Sequence, residues 1–389
     1  MQIKNKTNLI FTHKLIKAFA DSMVKAFIPL IILKSSQNMF LVMLYLTCYY
    51  AFCGVLNLIF KKFLQKYGVL SIILHAVPII VLQFVLTLPT TWYLCIILAL
   101  LASFAQILYS VPLNILFTFT DKKVNVAKFQ IATNVGKLIF ILVSGYILGS
   151  TLENSILLLA IIGSFLYILS VLPIMYGYKL IKESFIKISK KPTTVDRKTY
   201  KTFNLYHMFF SMFQSVLDVI IPLYLYTNNL TFEAVAIVMA LIELCKIGAN
   251  LLAKFLNKKG LSFLSCAISI LCLFTGSIVM LIVKNAIILY ICSCIIAISF
   301  PLLFVPMFAK FVEKVKKDNN EFDGMTYRDV YIFAIRDIMF LPYFIFPNLI
   351  GQFIVGLCSS ACLFVCSKKI LIDNKELQNA TNNINDTKK

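Results

Sequence analysis

The sequence predicts an all-α integral membrane protein. Its twelve transmembrane helices are expected to form two parallel-repeat six-helix bundles. Three observations predict this. Of the 389 residues, 60 % are apolar and only 14 % charged, where soluble domains average about 45–50 % and 25 %. The apolar residues fall in runs close to the roughly 20 that a spanning helix needs. Short strings recur at an offset of 192 or 193 residues, about half of the chain.

Taken in order, the first expected span is 13–34. It follows the basic residues Lys4 and Lys6, and no small-residue cleavage site comes after it, so it reads as an uncleaved helix. The second, 39–60, stops at Lys61-Lys62. Spans 69–89, 92–119, 129–150 and 155–178 complete a first bundle within residues 1–180. A polar linker, 181–202, follows (its lysines suit an amphipathic segment lying on anionic lipid). Spans 203–226, 232–253, 261–283, 285–309, 329–349 and 351–371 make a second bundle over 203–371. The Asn-rich tail, 372–389, is expected to be a disordered cytoplasmic segment.

The basic residues test this map. With the N-terminus inside, 31 of the 37 Lys+Arg fall in inner segments and only Lys34 and Lys284 in outer loops. That bias is the positive-inside pattern. Both termini are therefore expected to be cytoplasmic. The net charge of +20 is a consequence of topology. It is no nucleic-acid footprint, because no basic run interleaved with aromatics sits in a soluble module.

Several chemistries are excluded or disfavoured. The 11 cysteines lie in apolar runs without a CxxC pair and read as small buried hydrophobes. His13, His75 and His207 are far apart in sequence, and His207 reads as interfacial. There is no phosphate-binding loop, no zinc-protease motif and no G-x-S-x-G. No cofactor, no metal and no enzyme activity are expected.

The repeat rests on two anchors. Lys62-Phe63-Leu64-Gln65-Lys66-Tyr67-Gly68 matches Lys254-Phe255-Leu256-Asn257-Lys258-Lys259-Gly260. Asp21-Ser22 with Pro29-Leu30 matches Gln214-Ser215 with Pro222-Leu223. A duplicated unit with an even number of spans keeps its orientation, which makes the repeat parallel.

Six plus six spans around a basic central loop resemble the major facilitator superfamily of secondary transporters, over nearly the whole chain. In that family the loop after span two reads G-x-x-x-D-R-x-G-R-R and is echoed after span eight. Here Gln65, Lys66 and Gly68, then Asn257, Lys258 and Gly260, stand at its Asp, Arg and Gly positions, with Lys61 and Ala253 at the first Gly. The resemblance makes these six residues a candidate cytoplasmic gate. The two glycines would allow a tight turn at positive φ. Span four keeps Gln106 of the exporter motif R-x-x-Q-G, but Ser103 and Ile107 replace its Arg and Gly. Span five offers only Gly145 and Gly149, a small-xxx-small packing pair, in place of the antiporter signature.

Eight ionisable residues fall within the expected spans: Asp21, Lys25, Lys137, Asp218, then Glu243, Lys246, Arg336 and Asp337. Charge at bilayer depth is costly and normally faces a partner or a watery cavity. Asp21 with Lys25 (i,i+4) and Glu243 with Lys246 (i,i+3) share helix faces. Arg336 and Asp337 point apart and need partners on other helices. Lys137 and Arg336 sit at one depth in the equivalent spans five and eleven, as a cationic pair facing a central cavity. Three readings stand side by side: ion pairs that fix helix rotation, a clamp for an anionic or zwitterionic substrate, and a proton-coupling carboxylate. For the last, Asp218 leads because it has no basic neighbour on its own helix, and Glu243 comes next. Gln106, Asn134 and Gln214 are further candidates for substrate contact.

The resemblance implies a symporter or antiporter working by alternating access. Its partners would be a small-molecule substrate, membrane lipid and, for coupling, protons. The expected protein is a monomer in a bacterial cytoplasmic membrane. A lipid-handling or receptor-like protein that no longer transports is the alternative on the same fold.

Overall fold

The computed structural model describes residues 2–119, 126–152, 154–189, 200–283 and 285–386. Helices are the regular secondary structure among them. The first half comprises α1 (Gln2–Met23), α2 (Ile28–Ser36), α3 (Met39–Ile59), α4 (Lys61–Leu74), α5 (Ala76–Val85), α6 (Trp92–Phe119), α7 (Val126–Gly149), α8 (Ser155–Tyr176) and α9 (Tyr178–Ser189). The second comprises α10 (Lys201–Ser215), α11 (Ile221–Thr227), α12 (Phe232–Lys258), α13 (Ser262–Ile282), α14 (Ala286–Lys317), α15 (Glu321–Phe340), α16 (Pro342–Ile345) and α17 (Ile350–Asp386).

Nine described helical stretches are long and apolar enough to cross a membrane, and the pair α4–α5, bent by 46°, makes a tenth. The other two expected spans, 13–34 and 329–349, are helical too, but both are broken and carry charge into the interior. Outer faces expose apolar side chains such as Ile59, Phe165 and Leu271, as lipid contact requires. Inside the helices, hydroxyls of Ser22, Ser144 and Ser215 donate to carbonyls four residues back. That satisfies them where no water is at hand.

Two seams join the halves. α7 lies along α12, and α3 lies along α15. The first is tight because it is built on glycine. A Cβ on Gly145 would stand 2.0 Å from Cβ of Ala236, and one on Gly149 would meet the Glu233 carboxylate. Small residues let the two backbones approach this closely.

Spans one and seven break at equivalent places. A 3-10 turn, Lys25–Phe27, separates α1 from α2, and a π-helical segment, Val216–Ile220, separates α10 from α11. Pro29 and Pro222 supply the reason. Each lacks an N–H, and each ring collides with the carbonyl four residues back. Those carbonyls belong to Lys25 and Asp218, which also stand at the 193-residue offset.

The last helix, α17, runs to Asp386. Three expectations need correction. α9 is amphipathic, but its apolar residues Ile181 and Phe185 are buried in the protein and do not face lipid. The rest of the expected linker, 190–199, lies outside the described residues. Lys17, grouped by sequence with the inner basic residues, is buried within the first bundle. Cys358 is exposed on the outer surface, unlike the buried Cys53, Cys95, Cys266 and Cys292.

Candidate functional site

A cavity of ≈ 310 Å³ lies between the halves. α1, α3, α6 and α7 wall it on one side; α10, the π segment, α12 and α15 wall it on the other. Seven of the eight expected intramembrane charges line it. The bases are Lys25, Lys137, Lys246 and Arg336, and the acids are Asp21, Asp218 and Glu243. Asp337 is the exception: it does not line the cavity, and its Oδ1 is buried without a hydrogen-bond partner.

The C-terminal wall holds a connected charge cluster. Lys246 Nζ donates to Glu243 Oε1 at 2.8 Å and to Asp218 Oδ1 at 3.2 Å. The i,i+3 pair stands as the spacing predicts. Asp218 has a basic partner after all, on the neighbouring helix, which removes the reason for ranking it first as a proton carrier. Lys137 Nζ reaches across the seam to 4.0 Å from Glu243 Oε1. With its amide turned to suit its neighbours, Asn134 donates to Glu243 Oε2 at 3.1 Å.

In the first half the expected Asp21–Lys25 pair is replaced. Asp21 Oδ2 accepts from Lys17 Nζ at 2.6 Å, and its Oδ1 accepts from Tyr167. The turn at Lys25–Phe27 rotates Lys25 off the α1 face, so the spacing argument selects the wrong neighbour. Lys25 Nζ donates instead to Gln106 Oε1 at 3.0 Å. Arg336 Nη2 donates to Gln214 Oε1, and its guanidinium lies 5.5 Å from the ring centre of Tyr50. Gln214 Nε2 passes the contact on to Asp218 Oδ2 at 3.1 Å.

Sequence reasoning overlooked two groups. Tyr45, Tyr49 and Tyr50 line the cavity from α3; aromatic residues in an apolar run carry no signal of their direction. Lys17 was findable, because Lys17 and Asp21 also stand at i,i+4. Behind Asp21, His13 and His75 come together with ring centres 6.0 Å apart, against the expectation of distant histidines. His207, near the start of span seven, is buried against Phe308 and Phe311.

The candidate gate residues sit within their own halves. Gln65 Nε2 donates to the Ser189 carbonyl at 2.6 Å, Lys66 lies over the ring of Tyr67, and Lys258 is exposed. Asn257 Oδ1 accepts from Ser262. Gly260 does adopt positive φ, 73°, and closes the end of α12. Gly68 does not: it is helical, and it is needed because a Cβ there would fall 2.1 Å from Phe185 Cζ. The contact between halves is made by Lys61, whose Nζ lies 2.8 Å from Asp323 Oδ1 and against Tyr327. Nearby, Tyr200 donates to Asp318 Oδ2 at 2.7 Å. Burial and this bond raise its phenol above the ordinary value, so it remains the donor.

Among the described residues no cluster of His, Cys, Asp and Glu could hold a metal ion. A charged cavity between two helical halves is the architecture of a membrane transporter. A family model described as Major Facilitator Superfamily matches residues 14–322, and the chain belongs to that family. Solved structures agree on the fold. A bacterial homologue of the iron transporter ferroportin, outward-facing with soaked iron, superposes with a TM-score of 0.67 at 13 % identity, covering 94 % of this chain and 98 % of that one. A peptide transporter, POT, in complex with sulfate gives 0.66 at 10 % identity, covering 95 % and 94 %. FucP in the outward conformation gives 0.58 at 13 % identity, covering 95 % and 99 %. No curated protein matches the chain by sequence.

Proposed function

We propose that this protein is a secondary transporter carrying a small organic anion or zwitterion through the central cavity by alternating access. One observation carries the reading. The charges expected from sequence converge on one cavity between the halves, with cations from the equivalent helices α7 and α15 both facing it. Such charges are tolerated at membrane depth when they serve a polar pathway. The orientation follows from the lysines: the face bearing Lys61, Lys66 and Lys258 is cytoplasmic, in a bacterial inner membrane.

The test is counterflow in proteoliposomes against a panel of labelled organic acids and amino acids. Saturable exchange of one class is the expected result; binding without exchange would indicate a receptor. Arg336→Gln should lower initial uptake at least tenfold at unchanged folded yield.

The Lys61–Asp323 contact serves here as a latch of the cytoplasmic face. A half-exposed pair is worth about 0.2–1 kcal/mol. Lys61→Ala should therefore shift the open population of that face by about 1.4- to fivefold. Distances between spin labels at Lys62 and Lys258, in a background without reactive cysteines, read the shift. The charge swap Lys61→Asp with Asp323→Lys should reverse it.

A further inference from the structure

We propose that the cargo is a small organic dianion, one acidic group held by Lys25 and the other by Arg336. This rests on the reading of the cavity as the substrate site. It starts from how the charges there are matched. Asp21 is occupied by Lys17. Asp218 and Glu243 share Lys246, with Lys137 at the edge of ion-pair distance from Glu243. The three carboxylates are thereby balanced by Lys17, Lys246 and Lys137.

Two cations are left over, and both are held by neutral groups. Lys25 has the Gln106 oxygen, and Arg336 has the Gln214 oxygen and the Tyr50 ring. A glutamine oxygen orients a cation but cannot cancel its charge. The Nε atom of Arg336 is buried with no partner at all. Widening the circle leaves the excess unchanged. It adds Lys14, which lies near Lys17 and Lys137, and Asp337, which lies toward Cys48.

The two cations converge. Lys25 comes from the turn in span one and Arg336 from α15, and both line the one cavity. Tyr45, Tyr49 and Tyr50 of α3 line this cavity too, with the Tyr50 ring beside Arg336. A single ligand can therefore meet both, with its carbon body on the tyrosine rings. The ≈ 310 Å³ volume keeps that ligand small. A guanidinium favours a two-oxygen acid group and an ammonium accepts any anion, so carboxylate and phosphate both satisfy the chemistry.

The experiment measures thermal stabilisation and equilibrium binding of the purified full-length protein. The probes are dicarboxylic acids of two to six carbons, their monoamides, and phosphate esters of the same size bearing one carboxylate. At least one diacid should bind at least tenfold more tightly than its own monoamide. Whether carboxylate or phosphate fills the second position is read from the relative affinities of the diacids and the phosphate esters. Lys25→Gln and Arg336→Gln should each remove the preference, so that monoamide and diacid bind alike. Lys25→Arg and Arg336→Lys should retain it, which separates charge from folding. Equal binding of monoamide and diacid to the unaltered protein overturns the proposal, as does silence across every dianion. Dianion preference without counterflow would sustain this inference and remove the transporter reading. Counterflow of monoanions with equal affinity would do the reverse.

Discussion

Replacing Lys246 by Met should lower stability by about 3–5 kcal/mol, the range for removing one partner of a buried ion pair. The side chains of Lys246 and Glu243 are only 4 % and 6 % exposed, so water does little to screen Glu243, while Asp218, 37 % exposed, is screened in part and holds the loss toward the lower end of that range. Two carboxylates, Asp218 and Glu243, would be left facing each other without the ammonium between them. The protein would have to protonate one, open the wall, or unfold. The triple change Lys246→Met, Asp218→Asn, Glu243→Gln should regain most of the loss, since a neutral cluster has no unpaired charge. Thermal unfolding in detergent reads both. If Lys246→Met melted like the parent, the cluster would be solvated and the pairing of charges set out above would fail.

Gly145→Val should separate the halves. The added Cβ would stand 2.0 Å from Cβ of Ala236 and 3.4 Å from the Phe232 carbonyl oxygen. Neither neighbour is a flexible side-chain end. α7 and α12 must therefore move apart along the whole seam, where overpacking typically costs about 1–3 kcal/mol. Loss of transport should accompany it. Ala236→Gly should rescue the milder Gly145→Ala by vacating the space. Gly149→Ala is the control, because there the obstacle is the Glu233 carboxylate, which can swing away. Equal effects of Gly145→Ala and Gly149→Ala on melting would show that the seam is looser than its geometry implies.

Much of this protein is legible in its residues, and the illegible part has a common cause. Composition and run length report which segments can cross a membrane, so the spans were readable. Intramembrane charge is rare enough that seven of the eight charged positions led to the cavity. Pairing was another matter. Asp21 was assigned to Lys25 because helical spacing assumes an unbroken helix, and Pro29 breaks it. Asp218 looked partnerless because its partner, Lys246, is on another helix, and sequence periodicity does not report how two helices are rotated against each other. Lys61 was hidden for the same reason: its partner Asp323 is 262 residues away. Gly68 shows the converse limit. A glycine in a sequence announces either a turn or a close approach, and only the ring of Phe185 decides between them.

The glycine seam has a mechanical consequence. Two rigid bodies that rock against each other share a line along which displacement is least, and that line falls where their backbones touch. On the alternating-access reading proposed above, Gly145 against Ala236 would be such a pivot. Lys137 lies eight residues from Gly145, about 12 Å along the same helix, so its approach to Glu243 should change little through the cycle. Lys61 and Asp323 join the halves away from the glycine seam. On that same reading, the pair near the pivot would keep one register with the charge cluster, while the distant pair would travel furthest and set which side of the membrane the cavity meets.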